Sequence, residues 1–446
     1  MPEEKQPPDG GTRAYIVLFA SFLCNGLIFG IVNSYSIIYN EIYKNYTENK
    51  MDNAAAKASL IGSLMIGTTF LLSMVSGMVS DRIGIRPTTC IGGFIITCSL
   101  LISSFYIENV YVLIFSCGIM YGIGASLTYI PSLTIIGHYF KKNIGLANGF
   151  VTLGSSVFTI IMPFLLDYLL KTVGLNTCFR YLAALLSCLM LCSFAFKPRF
   201  QSPLTKKSIQ DDTSEAYFAN FLNISIWKNP RYVLWIVAVP IALCGYFVPY
   251  VHMAMFIRKN FKGENEKLPV VCIAITSAIG RILFGKLSDL KGVNSIILQQ
   301  LSFVVIGIVS ILTPFIKNYT LLLMAILIMG LFDGCFITVV GPIAFKFCGP
   351  KGAGQAIGFL LGLISIPITI GPTVAGAIYD QTKSYTLPFI LAGIPPFIGA
   401  AMMTKIHFME SAEDEIECVE SKESSEKKQL TSDAINTKET GKIADV

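Results

Sequence analysis

Charged side chains are scarce in this chain: 34 Lys plus Arg and 28 Asp plus Glu make up only 14% of 446 residues, against 53% hydrophobic. Mean hydropathy is +0.63. Soluble globular domains carry about a quarter charged residues, so that class is excluded and a polytopic membrane protein is expected. Motifs that perform chemistry are also lacking. No HExxH helix, GxSxG elbow or P-loop occurs, and Gly122-Ile123-Gly124 has neither the later glycine nor the strand of a dinucleotide loop. No acid, nucleophile or metal constellation lies within the apolar spans, so the expectation is no enzyme, no cofactor and no metal. Of twelve cysteines, Cys24, Cys90, Cys98, Cys117, Cys178, Cys188, Cys192, Cys244, Cys272 and Cys335 lie in or at the ends of apolar spans without metal-like clustering. They read as small buried hydrophobes. The net charge of +6 comes from basic residues scattered through short loops; no basic stripe with interleaved aromatics exists, so nucleic acid is not an expected partner. The polar, proline-rich start lacks the basic-then-apolar order of a signal peptide.

What the chain does have is long apolar runs. A helix needs about 20 largely apolar residues to cross a bilayer, and reading between charged punctuation gives twelve spans: 14–40, 58–80, 88–107, 110–137, 145–170, 177–196, 232–257, 268–288, 294–316, 319–345, 353–379 and 385–404. The resulting expectation is an all-α membrane protein with twelve transmembrane helices in two six-helix bundles. It has a cytosolic N-terminal segment (1–13), a first bundle (14–196), a cytosolic central loop (197–231), a second bundle (232–404) and a disordered tail (405–446) rich in Glu, Ser and Lys.

The halves share a plan. Gly77 and Gly285, Asp81 and Asp289, Pro131 and Pro342, Gly149 and Gly358, and Pro163 and Pro372 recur in order at nearly constant spacing. Two repeats of this kind are how alternating-access carriers hold substrate near the midplane. Arg82, Arg86, Lys141, Lys142, Lys286, Lys291, Lys346 and Lys351 fall in loops on one side, which makes that side, with both termini, cytosolic. Arg258, Lys259, Lys262 and Lys267 oppose this bias. Asn45-Tyr46-Thr47 is a glycosylation sequon in the first outer loop and agrees with it. Gly77-x-x-x-Asp81-Arg82-x-Gly84-x-Arg86 and its weaker copy at Gly285 and Asp289 read as a cytosolic gate, in which glycines allow close helix approach and charges lock one conformation.

Two charges lie deep in apolar spans, Arg281 and Asp333. A central charge costs about 2.5–3.5 kcal/mol on insertion scales, so each requires a partner. With a rise of 1.5 Å per residue from Leu268 and Tyr319, both reach a depth of about 20 Å. They are therefore expected to pair, Arg281 offering a bidentate fork to a substrate carboxylate and Asp333 orienting it or receiving an ammonium; a purely structural pair is the competing reading. Tyr246, Phe247, Tyr250 and His252 surround a proline-disrupted helix end and offer rings to an aromatic substrate. Asn33, Tyr35 and Tyr129 are further candidates for the cavity wall.

The Gly77 motif resembles the signature of the major facilitator superfamily. Asp9-Gly10-Gly11 before the first span, and His138-Tyr139-Phe140-Lys141-Lys142 through Gly145-Leu146-Ala147-Asn148-Gly149, resemble the two signatures of the monocarboxylate transporter family. Thr12 and Ala14 depart from the first. The stretches GYFVPYVH, LPVVCIAITSAIGRILFGKLSDL and QAIGFLLGLISIPITIGP are similar to the branch of that family that moves aromatic amino acids and iodothyronines. The resemblance implies a facilitative plasma-membrane carrier whose functional residues match His252, Arg281 and Asp333. Val32 stands where the iodothyronine carrier has histidine and the amino-acid carrier glutamine. The first-span lysine of proton-coupled members is also missing, with Tyr35 near its place. The expected partners are a small-molecule carboxylate and the lipid bilayer; a proton-coupled monocarboxylate carrier and a non-transporting sensor of an aromatic ligand are the alternatives. Whether an accessory glycoprotein takes part is not legible.

Overall fold

The computed structural model describes residues 9–49, 51, 54–199, 223–265, 268–406 and 408–409, and these residues are all α-helical in architecture. Among the described residues, ten helices are long and apolar enough to cross a membrane, and a bent pair raises the number to eleven. In order they are α1 (Thr12–Asn33), α2 (Tyr35–Glu48, too polar to span), the bent pair α3 (Ala54–Leu71) and α4 (Ser73–Ile83), α5 (Ile85–Phe105) and α6 (Val110–His138). There follow α7 (Ile144–Ala195), α8 (Pro230–Asn260), α9 (Leu268–Ser288), α10 (Ser295–Phe315), α11 (Tyr319–Pro350), α12 (Gly352–Tyr379) and α13 (Thr386–Ile406).

Four expected spans differ in detail. The first stops at Asn33, and the chain resumes as α2, which carries Asn45 inside a helix with its Oδ1 accepting a 2.9 Å bond from Asn49. The second is bent by 46° between α3 and α4. Thr68, Thr69 and Ser73 each return their hydroxyls to the carbonyl four residues back, the kind of bond that bends helices. The fifth and sixth run on as one 52-residue helix, interrupted at Gly174, whose φ of 75° only glycine adopts at little cost. Most of the expected central loop, 200–222, and of the expected tail, 407 and 410–446, lies outside the described residues.

Helix starts follow local chemistry. Asn109, Asn229, Asn294 and Asn318 each accept backbone N–H bonds at the beginnings of α6, α8, α10 and α11, as N-caps do. Glycine sets how closely helices from the two parts of the chain approach. A Cβ on Gly77 would lie 2.6 Å from the Gly354 carbonyl oxygen, and one on Gly285 would lie 2.8 Å from the Gly145 carbonyl oxygen. The repeat spacing relates Gly77 to Gly285 and Gly145 to Gly354, so the two contacts are copies of one another. Gly149 against the Arg281 backbone and Gly358 against the Ser73 backbone form a second such pair.

Candidate functional site

α9 and α11 pack backbone to backbone, because a Cβ on Gly334 would stand 2.8 Å from the Arg281 amide nitrogen. This brings Arg281 and Asp333 to one level, as their depths require. Both are buried, at 6% and 4% exposure. The expected direct ion pair is not formed. The Arg281 guanidinium instead crosses to α7, donating to the Thr152 carbonyl and to Ser155 Oγ. The Asp333 carboxylate accepts from the Tyr246 hydroxyl on α8 and from Ser277 Oγ at 2.6 Å. Each charge is thus met by dipoles of neighbouring helices, which suffices to hold it without mutual contact.

Arg281 lines a cavity of about 180 Å³ shared by both parts of the chain. One wall is an aromatic group from the first part. Phe29 and Tyr129 meet edge to face at 4.9 Å, and Phe29 and Phe70 stack at 5.8 Å. The facing wall holds Tyr246, Phe247 and Phe336, with Tyr246 at 5.3 Å from Phe247 and 5.8 Å from Phe336. Polar groups interrupt these walls at Asn25, Asn33, Asn148, Thr152 and Ser155. Arg281 Nε has no partner among the described residues, which leaves the guanidinium a donor to offer. The arrangement has the chemistry to take a molecule with an anionic head and an aromatic body.

Of the residues singled out from sequence, Arg281, Asn33, Tyr129, Tyr246 and Phe247 line this cavity. Asn33 is tied to Thr159 Oγ1 at 2.9 Å. Asp333 stands behind the wall, reached through Tyr246. Tyr250 stacks beside Tyr246 at 5.2 Å without lining the cavity. Tyr35 turns away to donate to the Ala58 carbonyl at 2.7 Å. His252 bonds the Pro372 carbonyl at 3.0 Å and packs near Tyr385; it braces α8 on α12 and does not line the cavity. Sequence reading missed Asn25, Asn148, Thr152, Ser155, Phe29, Phe70 and Phe336. Asn25 and Asn148 carried a usable signal, being amides inside otherwise apolar spans.

The two glycine motifs meet the opposite part of the chain at one end of the molecule. The Asp289 carboxylate accepts the Gly145 and Leu146 N–H bonds at 2.7 Å each, capping α7. Burial raises the pKa of Asp289 above its ordinary value, against those two backbone bonds. Asp81 lies against Gly354 at the symmetry-related place. Gly84 turns the chain at φ 98°, and Arg86 reaches the Phe194 carbonyl at 3.3 Å. Asp9 accepts from the backbone of Lys141 and Lys142 at 2.7 and 2.6 Å, so the two short signature segments touch.

A helical membrane protein with a cavity between repeated parts is the architecture of a facilitator carrier, and the family model described as Major Facilitator Superfamily matches residues 14–314 and 268–430. Within that superfamily the chain belongs to the monocarboxylate transporter family. It is 42% identical to monocarboxylate transporter 10 of Rattus norvegicus over 92% of this chain and 81% of the relative. The Homo sapiens protein of that name is 39% identical over 96% and 84%. Monocarboxylate transporter 9 of Pongo abelii is 25% identical over 90% and 94%. In fold, it is similar to the human organic anion transporter MFSD10 (TETRAN), with a TM-score of 0.69 at 15% identity, covering 89% of this chain and 100% of that one. The E. coli fucose:proton symporter gives 0.69 at 11% identity, over 88% and 99%. The chain is therefore a multi-pass membrane transporter and not an enzyme.

Proposed function

We propose that this protein is a facilitative carrier of aromatic amino acids, working by alternating access in the plasma membrane with both termini in the cytosol. The observation that carries the reading is the shared cavity, with aromatic rings on both walls and the Arg281 guanidinium between them. The substrate carboxylate takes the donors that Arg281 now gives to Thr152 and Ser155, and the ring of the substrate lies among Phe29, Tyr129, Tyr246 and Phe336. The 180 Å³ volume lies below the ~300–1,000 Å³ of clefts for drug-sized ligands, which favours an amino acid over the bulkier iodothyronine.

Twelve spans in two six-helix bundles, 14–196 and 232–404, support rocking about this site. A 52-residue α7 would be about 78 Å long, more than twice the ~30 Å hydrocarbon core, so its break at Gly174 divides it into two crossings. Gly77, Asp81, Arg82, Gly84 and Arg86, with Gly285 and Asp289, form the cytosolic gate, closed here by the paired glycine contacts and the Asp289 cap. Asp333 positions Tyr246 and balances Arg281 through space. Asn45 is the glycosylation candidate on the outer side.

The test is uptake of labelled phenylalanine, tyrosine, tryptophan, triiodothyronine and lactate by cells expressing the chain, at two external pH values. Aromatic amino-acid uptake indifferent to pH is the expected result. Lactate uptake that rises in acid, with no aromatic uptake, would contradict the reading.

A further inference from the structure

Asn148 stands on the cavity wall at 2% exposure, its amide pressed flat on Gly341, where a Cβ would come 2.8 Å from the amide oxygen. Its Nδ2 donates to the Thr338 carbonyl at 2.6 Å. A carbonyl oxygen only accepts, so this bond fixes which end of the amide is nitrogen: Nδ2 meets the Thr338 carbonyl and Oδ1 lies beside it against Gly341. That Oδ1 is buried and has no partner among the described residues. Leaving a buried acceptor unpaired costs about 1–3 kcal/mol, and a ligand that brings an N–H donor removes the cost.

The position of this orphan acceptor relative to Arg281 is specific. Thr152, whose carbonyl takes the guanidinium, lies one helical turn along α7 and returns its own hydroxyl to the Asn148 carbonyl at 2.9 Å. Asn148, Thr152, Ser155 and Arg281 all line the one cavity. The ammonium and carboxylate of an α-amino acid are bonded to one carbon, so an acceptor and a donor that grip both must border the same small space. Asp333, the other acceptor of the region, is already engaged by Tyr246 and Ser277 and is screened from the cavity by them.

We infer that Asn148 Oδ1 receives the α-ammonium group of the substrate while Arg281 holds its carboxylate, so that Asn148 distinguishes an amino acid from the matching acid with no donor on its α-carbon. This rests on the aromatic amino-acid reading above and adds the subsite that selects the amine. A neutral amide suits the task, because a zwitterion beside Arg281 and an uncharged acceptor adds no net charge to the buried site.

The experiment compares the affinity of the purified full-length chain for phenylalanine and for 3-phenylpropionate, in wild type, Asn148→Ala and Asn148→Asp. Wild type should prefer phenylalanine by at least about tenfold, as a hydrogen bond to a charged group contributes about 1.5–3 kcal/mol. Asn148→Ala should bring the two affinities within about threefold by weakening phenylalanine alone, while Asn148→Asp, which keeps an acceptor, should retain the preference. An unchanged ratio in Asn148→Ala, or equal weakening of both ligands, would overturn the assignment. Should Asn148→Ala not fold, loss of the preference in Asn148→Asp overturns it on its own. Binding of neither ligand by wild type strikes at the aromatic amino-acid reading instead.

Discussion

A guanidinium in the middle of a membrane-spanning helix is stable only while its donors are used. In this structure Arg281 uses them on the opposite part of the chain, at Thr152 and Ser155. A substrate carboxylate that takes the same donors releases that bridge, which links binding to movement of the two parts. Arg281→Ala should therefore abolish uptake at unchanged surface level, and Arg281→Lys should restore little, since a point charge does not reproduce the planar fork. Surface biotinylation beside uptake checks both. Asp333 and Arg281 are held by different partners, so the double exchange Arg281→Asp with Asp333→Arg should not recover transport. Recovery would mean that a direct pair forms in another conformation and that pairing is enough. Tyr246→Phe should lower uptake several-fold, because it removes one of two hydroxyls from a buried carboxylate, a loss of about 1.5–3 kcal/mol for a charged bond. The residues were unevenly legible in the sequence. Arg281 and Asp333 announced themselves by charge in an apolar run. The partners did not, because hydroxyl residues are common in these spans, many bonding their own helix as Thr152 and Ser155 do, and which of them also meet a neighbour, as Ser277 does, depends on tertiary packing. His252 stands apart from these: the family resemblance implies a substrate role for it, and in this structure it meets the carbonyl of Pro372 outside the cavity wall.

At the scale of elements, the close crossings of α4 with α12 and of α7 with α9 depend on glycine. Gly285→Val would drive a branched side chain into the Gly145 backbone, so it should keep the gate from closing. The expected outcome is loss of at least about tenfold in transport with normal surface expression, since overpacking costs roughly 1–3 kcal/mol. A cysteine placed near Gly145 should also become more reactive to a cytosolic thiol reagent. Unaltered transport and reactivity would remove this contact from the gate. The Asp289 cap belongs with it. Asp289→Asn keeps an acceptor but loses the charge at the α7 N-terminus, and should weaken closure by less than Gly285→Val, about 0.3–1 kcal/mol. These elements were legible as a repeat of landmarks, and the pairing of Gly77 with Gly354 and Gly285 with Gly145 is what the repeat means in space. Legible only in part were helix ends: α1 stops at Asn33 and α3 bends into α4, because hydroxyl back-bonding and local turns act without changing the apolar pattern from which spans are read.

For the whole molecule, an interior lined by rings on two facing walls, closed at one end by duplicated glycine contacts, belongs to a carrier that exposes one site alternately to each side. The missing first-span lysine leaves no basic or acidic side chain between Arg13 and Glu41 beyond tyrosines and Cys24, so substrate gradient alone should drive net movement. The most direct measurement is exchange of labelled phenylalanine in proteoliposomes loaded with unlabelled tyrosine, at pH 6 and pH 7.5, with wild type and Arg281→Ala. The account predicts accumulation of label by wild type that is equal at both pH values and stimulated by internal tyrosine, and none by Arg281→Ala. Accumulation that requires an inward proton gradient, or that persists without Arg281, would contradict it.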